Sequence, residues 1–280
     1  MPVLSELHVY PVKSCGGISL ETATLGTRGV PGDRGWMVVD AAGRFITQRS
    51  DPRLARIRTR LEPERLVLEA PDLPPLELPR DAAGQQVEVT VWNDTGRAVD
   101  AGDGAAAWLR EHLGRRVRLV RMDGAFARRP NPEWATTGEL SFVDAFPVLV
   151  ISRASLEDLN RRLPTPLPMN RFRPNLVIDG CAPFEEDRWG RIEVGGAVLR
   201  LVKPCTRCST TTVEQETAQR GHEPLSTLAT FRCWDRGGVI FGQNAVVEVG
   251  GAIRVGDAVR VLDRSAPPAL EGPPEVSDVS

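Results

Sequence analysis

Ile192-Glu193-Val194-Gly195-Gly196-Ala197-Val198 and Val247-Glu248-Val249-Gly250-Gly251-Ala252-Ile253 are two similar stretches, each an alternating strand, a Gly-Gly turn and a returning strand. Apolar residues at every second position put one face on a core, and paired glycines supply a tight turn, so both stretches predict β-hairpins. Two copies are too few for a repeat array. Short strands with few helices around them point to a barrel.

The rest of the chain agrees with a mainly β reading. Strands are predicted over residues 4–10, 35–39, 45–48, 66–68 and 87–91, where Val87, Val89 and Val91 alternate with Glu88 and Thr90. Prolines and charges make residues 70–79 a connection and possible edge. A helix is expected over 103–113, capped by Asp103, with Trp108, Leu109 and Leu113 inward. Residues 123–137 read as an irregular loop of the kind that often carries function. An apolar strand over 148–151 then leads to a helix opened by Ser155-Leu156-Glu157-Asp158. Beyond Asp263 the composition turns to Pro, Ser, Ala and Glu without periodicity, which predicts disorder.

At 280 residues the chain has length for two domains, and the helix at 103–113 marks the seam. The expected division is 1–120, 121–264 and a tail at 265–280. A net charge of -2 gives no electrostatic reason to expect nucleic acid. The start lacks the basic and apolar regions of a signal peptide, and no stretch is apolar for long enough to cross a bilayer. The expectation is a cytoplasmic protein without a membrane partner. Cys15, Cys181, Cys205, Cys208 and Cys233 are an odd, irregular set, better read as reduced thiols than as a disulfide framework.

Chemistry concentrates in Val202-Lys203-Pro204-Cys205-Thr206-Arg207-Cys208-Ser209, where an arginine stands between two thiols at the end of a strand. A structural zinc site lacks its second ligand pair, since only His222 and Cys233 lie downstream, at the wrong spacing. A thioredoxin-like couple needs a helix N-terminus, and Ser209-Thr210-Thr211-Thr212-Val213 is a poor one. There remain a thiolate on a soft metal whose other ligands come from a cofactor, with Arg207 on its anionic part, and a pair of inert thiols. Elsewhere Lys13-Ser14-Cys15-Gly16-Gly17 offers backbone amides and a lysine to a phosphate, and Asp33-Arg34-Gly35-Trp36 puts an arginine before an apolar strand. Phe172-Arg173-Pro174-Asn175 is read as extended, with Arg173 and Asn175 on one side. Ser152 and Arg153 end a strand, and Asn244 follows Phe241-Gly242-Gln243.

Tyr-Pro-Val-Lys-Ser, Asp-Arg-Gly-Trp, Phe-Arg-Pro-Asn, Cys-Thr-Arg-Cys and Phe-Gly-Gln-Asn, in that order, resemble the MOSC family, named for the C-terminal domain of molybdenum cofactor sulfurase. More narrowly they resemble the mitochondrial amidoxime-reducing components and their bacterial relatives, from about residue 1 to residue 263. The resemblance implies an N-terminal MOSC-associated β-barrel domain packed on a MOSC β-barrel domain, with a molybdenum–molybdopterin cofactor in the cleft between them. It makes Cys208 the metal ligand and catalytic centre. Its cofactor contacts fall on Lys13, Ser14, Arg34, Arg173, Asn175, Thr206, Arg207 and Asn244, and more loosely on Ser152 and Arg153. Asn244 stands where these relatives commonly have a tyrosine, so that contact differs.

The activity implied is a detoxifying oxidoreductase that removes oxygen from small N-hydroxylated compounds, amidoximes or hydroxylamino bases. Its electrons would come from an external flavin or iron–sulfur reductase, since no cysteine follows Cys233 to hold a cluster here. The rival expectation is a MOSC protein that carries cofactor or sulfur without reducing such substrates. His8, His112 and His222 read as structural.

Overall fold

The structure is a computed structural model and describes residues 1–81 and 83–271. Eight strands make the main sheet, in the spatial order Val259–Arg264, Trp189–Val194, Ala197–Thr206, Ile240–Val249, Val148–Ser152, Leu176–Asp179, Val3–Val9 and Ile18–Leu20. Its pairs are antiparallel except Val148–Ser152 with Leu176–Asp179, whose crossover carries the helix Arg153–Arg162. The sheet curls until its ends meet. Leu4 N–H donates to the Asp257 carbonyl at 2.9 Å, Val259 N–H donates to the Pro2 carbonyl at 2.8 Å, and Val3 bridges Ala258. Inside lie Leu4, Leu7, Val150, Leu176, Trp189, Leu199 and Ala245, supplied by alternate positions of each strand.

The second body holds a four-stranded sheet, Trp36–Val39, Arg118–Arg121, Asp94–Asp100 and Gln86–Val91, and a three-stranded one, Arg58–Leu61, Arg65–Glu69 and Leu76–Pro79. The helix Asp103–Leu113 lays Trp108, Leu109 and Leu113 on a core with Val38, Leu54, Leu66 and Leu119. The chain is thus mainly β with few helices, two β bodies packed together. The sheets do not follow a cut at 120/121. Val3–Val9 and Ile18–Leu20 belong to the large sheet, and Thr22–Leu25 pairs with Gly251–Arg254. Without them the edge of Leu176–Asp179 would stand unpaired.

Only the first Gly-Gly stretch is a hairpin, with Val194 opposite Ala197. At the second, the chain leaves the sheet, because Ile240–Val249 already has both edges taken, by Ala197–Thr206 and by Val148–Ser152. The two turns pack on each other instead. Gly196 N–H donates to the Ala252 carbonyl at 2.8 Å, and a Cβ on Gly251 would lie 2.1 Å from the Gly196 carbonyl oxygen. Close backbone approach is what glycine is needed for here.

Other expectations are corrected locally. Residues 45–48 make only an isolated bridge, because the Thr47 carbonyl accepts from Ser50 N–H and Asp51 N–H and turns the chain. Asp103 is the first residue of its helix and Gly102 the cap. The second helix begins three residues earlier than expected, capped by Ser152, whose hydroxyl accepts from Ser155 N–H. Residues 265–271 of the expected tail are placed on the large body: Ser265 N–H bonds the Arg188 carbonyl and Glu271 N–H the Cys233 carbonyl. Residues 272–280 lie outside the described residues. No helix among the described residues is long and apolar enough to cross a membrane.

Candidate functional site

Lys13, Ser14, Arg34, Arg173, Asn175, Thr206, Arg207, Cys208 and Asn244 line one cavity of about 360 Å³ between the two bodies. Ser152 and Arg153 do not reach it. The Ser152 side chain is spent on the helix cap and bonds the Ser155 hydroxyl, fully buried. Arg153 points to another face, where it pairs with Glu6. Their place at a strand end is the same as that of the other candidates, but the helix that follows turns them away.

The floor under two of the lining arginines is a single aromatic ring, which does not itself line the cavity. Tyr10 is buried with the Arg34 guanidinium 4.2 Å from its centroid and that of Arg173 at 4.3 Å. Gly17 makes room for it, since a Cβ there would lie 2.4 Å from the Tyr10 ring. Burial pushes the Tyr10 phenol up to about 12 despite the neighbouring guanidinium of Arg173, so it stays neutral. Asp33 ties the floor together, accepting from Tyr10 N–H at 2.8 Å and from Arg34 Nη1 at 2.6 Å. This Asp33–Arg34 ion pair is buried.

Arg173 has φ of 59°, so its segment is not extended as expected. The left-handed turn swings its side chain down to donate from Nη1 to the Cys15 carbonyl at 2.6 Å, while Nη2 is buried without a partner. Burial, with Arg34 as like charge beside it, lowers its guanidinium to about 10. Arg207 is held by Nη1 on the Cys205 sulfur at 3.0 Å and by Nη2 on the Phe172 carbonyl at 2.6 Å, and its Nε is buried and unpartnered. Asn175 is engaged in the fold: its side-chain oxygen accepts from Leu149 N–H and its Nδ2 donates to the His8 carbonyl. Lys13 is buried, donating to the Phe142 carbonyl at 2.7 Å and pairing with Asp144. Burial lowers its ammonium and Asp144 partly restores it. Burial alone would raise the Asp144 carboxyl, and Lys13 reverses this and holds it far below the usual carboxylate range.

Cys208 stands in extended backbone just after the long strand Ala197–Thr206 and caps the single 3-10 turn Ser209–Thr212. Burial would raise its thiol. The Thr210 hydroxyl and N–H and the Arg49 guanidinium, whose Nη1 is 3.5 Å from the sulfur, outweigh burial and lower it. The two cysteines of the pair both line the cavity but are held differently: Cys208 has a lowered thiol pKa, and Cys205 anchors Arg207.

Sequence reasoning missed Arg49, Trp92, Asp144 and Thr210, which line the same cavity. Only Thr210 adjoined a motif. With Lys203 the lining counts six cations, Lys13, Arg34, Arg49, Arg173, Lys203 and Arg207, against the single carboxylate of Asp144. Asp33 behind Arg34 leaves a large excess of positive charge, and two guanidinium nitrogens lack acceptors. Such a cleft is built for an anion. Among the described residues no three His, Cys, Asp or Glu converge as metal ligands. A metal on Cys208 would have to bring its other ligands with it.

Comparison with known proteins gives the following. The MOSC N-terminal beta barrel domain family matches residues 1–116, and the MOSC domain family matches residues 137–260. "Mitochondrial amidoxime reducing component 2" of Rattus norvegicus is 36% identical over 93% of this chain and 83% of its own length. "Mitochondrial amidoxime-reducing component 1" of Homo sapiens is 34% identical over 92% of this chain and 82% of its own. "Molybdenum cofactor sulfurase" of Oryza sativa subsp. japonica is 34% identical over 85% of this chain, which spans 32% of that protein.

Proposed function

This chain belongs to the MOSC family, close to the mitochondrial amidoxime-reducing components, and we propose that it binds a molybdenum–pterin cofactor and reduces N-hydroxylated compounds with it. The observation that carries this reading is the pairing of one cysteine with a lowered thiol pKa, Cys208, with a cation-rich cleft whose arginines keep two unsatisfied guanidinium donors. An anionic pterin dithiolene with its phosphate is the kind of ligand that needs both. The cofactor, when bound, supplies removal of the oxygen atom and the two-electron chemistry.

The chain's own residues bind and orient. Cys208 would be the thiolate ligand, its thiol pKa lowered by Thr210 and Arg49 against the effect of burial. Arg173 and Arg207 would give their free N–H groups to the anionic pterin side, and Lys13 and Arg34 add charge from the other body. Asn244 and Thr206 stand at the wall formed by the paired strands Ala197–Thr206 and Ile240–Val249. Tyr10 excludes water beneath the arginines and fixes their planes. For the substrate the N–O bond breaks, the oxygen leaves as water with protons from solvent, and the electron pair comes from a separate flavin or iron–sulfur reductase.

The test is metal analysis of protein made with molybdate present, followed by oxidation of reduced viologen with an amidoxime. Stoichiometric molybdenum and turnover are expected. Cys208→Ala should lose both and remain folded, whereas Cys205→Ala should keep its molybdenum. Zinc in place of molybdenum, or a silent Cys208→Ala, contradicts the assignment. Fully loaded protein without turnover would point to the carrier role instead.

A further inference from the structure

Trp92 occupies a place that a bulky residue seldom takes. It begins the two-residue loop Trp92-Asn93 between Gln86–Val91 and Asp94–Asp100, with Val91 opposite Asp94. Its φ is 57°, a left-handed conformation that such loops give to Gly, Asn or Asp and that strains a large side chain. Strain of this kind persists where the surroundings hold it, and it collects at sites of function. Trp92 is 46% exposed, and it is the one aromatic residue among the exposed large hydrophobic side chains of the described residues.

The indole is exposed yet fixed on several sides. Nε1 donates to Asp144 at 3.2 Å, the Phe45 ring lies 5.1 Å away, and the Arg49 guanidinium sits 4.7 Å from its centroid. Arg49 in turn reaches the Cys208 sulfur at 3.5 Å. Indole, guanidinium and thiol thus run in sequence from the cleft wall to the proposed metal ligand, and all three line the same cavity.

The geometry points to Trp92 as a specificity-determining residue: an aromatic platform on which a planar, conjugated N-hydroxylated substrate stacks with its N–O group toward Cys208. The inference rests on the reductase reading. A flat aryl amidoxime gains an offset stack on the indole that a small alkyl amidoxime cannot make. The platform therefore acts on binding, and its loss should appear in KM more than in kcat.

The experiment uses cofactor-loaded protein with benzamidoxime and acetamidoxime, comparing the wild-type chain with Trp92→Gly and Trp92→Phe. Glycine suits the left-handed position, so Trp92→Gly should fold, which its urea midpoint checks. The ratio of kcat/KM for benzamidoxime over acetamidoxime should fall about three- to tenfold in Trp92→Gly, through KM, and return with Trp92→Phe. Calorimetric binding of benzamidoxime to the same proteins should weaken by the same factor in Trp92→Gly alone. An unchanged ratio and an unchanged dissociation constant would overturn the platform. A wild-type chain that binds benzamidoxime and turns over neither compound would overturn the reductase reading, and the binding arm would still decide the role of Trp92.

Discussion

Replacing Arg173 by methionine should make the empty chain more stable and its loading with molybdenum poorer. Arg173 is charged in a place that suits charge poorly: its guanidinium is buried, lies over the Tyr10 ring with Arg34 as a like charge beside it, and leaves Nη2 without an acceptor. The fall from an ordinary 12.5 to about 10 corresponds to about 3 kcal/mol of unfavourable free energy for holding that charge in the fold. The unfolded chain keeps the proton between pH 10 and 12.5, where the fold has released it. Stability of the cofactor-free chain therefore rises with pH through that window, and below it the full deficit is present. Methionine keeps an unbranched stem on Tyr10 and removes the charge. It forfeits the hydrogen bond to the Cys15 carbonyl, about 1 kcal/mol, and the cation–π contact, about 1 kcal/mol. The balance is a gain of about 1 kcal/mol, seen as a higher urea midpoint of cofactor-free protein. Molybdenum content should fall in the same variant. A destabilisation of about 2 kcal/mol or more would show that Arg173 is satisfied as it stands, and full molybdenum content would remove it from the cofactor site.

Gly17→Ala should cost about 1–3 kcal/mol, because the new Cβ would enter the Tyr10 ring at 2.4 Å, and thermal unfolding measures it. Unchanged stability there would mean the floor is soft. Glu186 is fully buried, accepts from Ser152 N–H and the Ser155 hydroxyl, and burial raises its carboxyl. The fold then holds a proton that the unfolded chain loses as pH climbs above the ordinary 4.5, so stability should drop as pH rises through the raised value. Glu186→Gln should flatten that slope in urea titrations across pH, and a slope that survives the change assigns it elsewhere. Pyrophosphate, a stand-in for an anionic cofactor, should stabilise cofactor-free protein by about 2.7 kcal/mol at a hundredfold excess over its Kd, seen as a higher thermal midpoint. The effect should shrink in Arg207→Met, and a wild-type midpoint indifferent to pyrophosphate would contradict an anion cleft.

How far the sequence carried the fold depended on whether an element's neighbours were local. The helix at 103–113 and the turn at Gly195-Gly196 appear where periodicity and turn chemistry put them. Gly250-Gly251 has the same chemistry and makes no hairpin, because pairing depends on which edges are free, and distant strands occupy them. The same long-range pairing takes Val3–Val9, Ile18–Leu20 and Thr22–Leu25 away from the smaller sheets and onto the large body. Ser152 reads as a strand end in the sequence and is the helix cap in the structure. The cap prevails since it satisfies an N–H that the fold would otherwise bury.

The site divides along a similar line. Residues that sit inside distinctive motifs, Lys13, Arg34, Arg173, Arg207 and Cys208, meet in one cavity although they come from both halves of the chain. Arg49, Asp144 and Trp92 lie in stretches with no pattern of their own, and their importance exists only through what they touch: a sulfur, an ammonium and a guanidinium. A positive φ cannot be read from a tryptophan, so the strained hairpin tip was invisible as well. Charge, too, is informative only once gathered. The chain as a whole carries -2, yet the cleft collects six cations around one carboxylate. Folding alone does not favour that arrangement, since each buried guanidinium without an acceptor weakens the empty fold. Two such groups, Arg173 and Arg207, face the same thiol-lined space, and the acceptor they lack is the property by which the missing partner can be recognised.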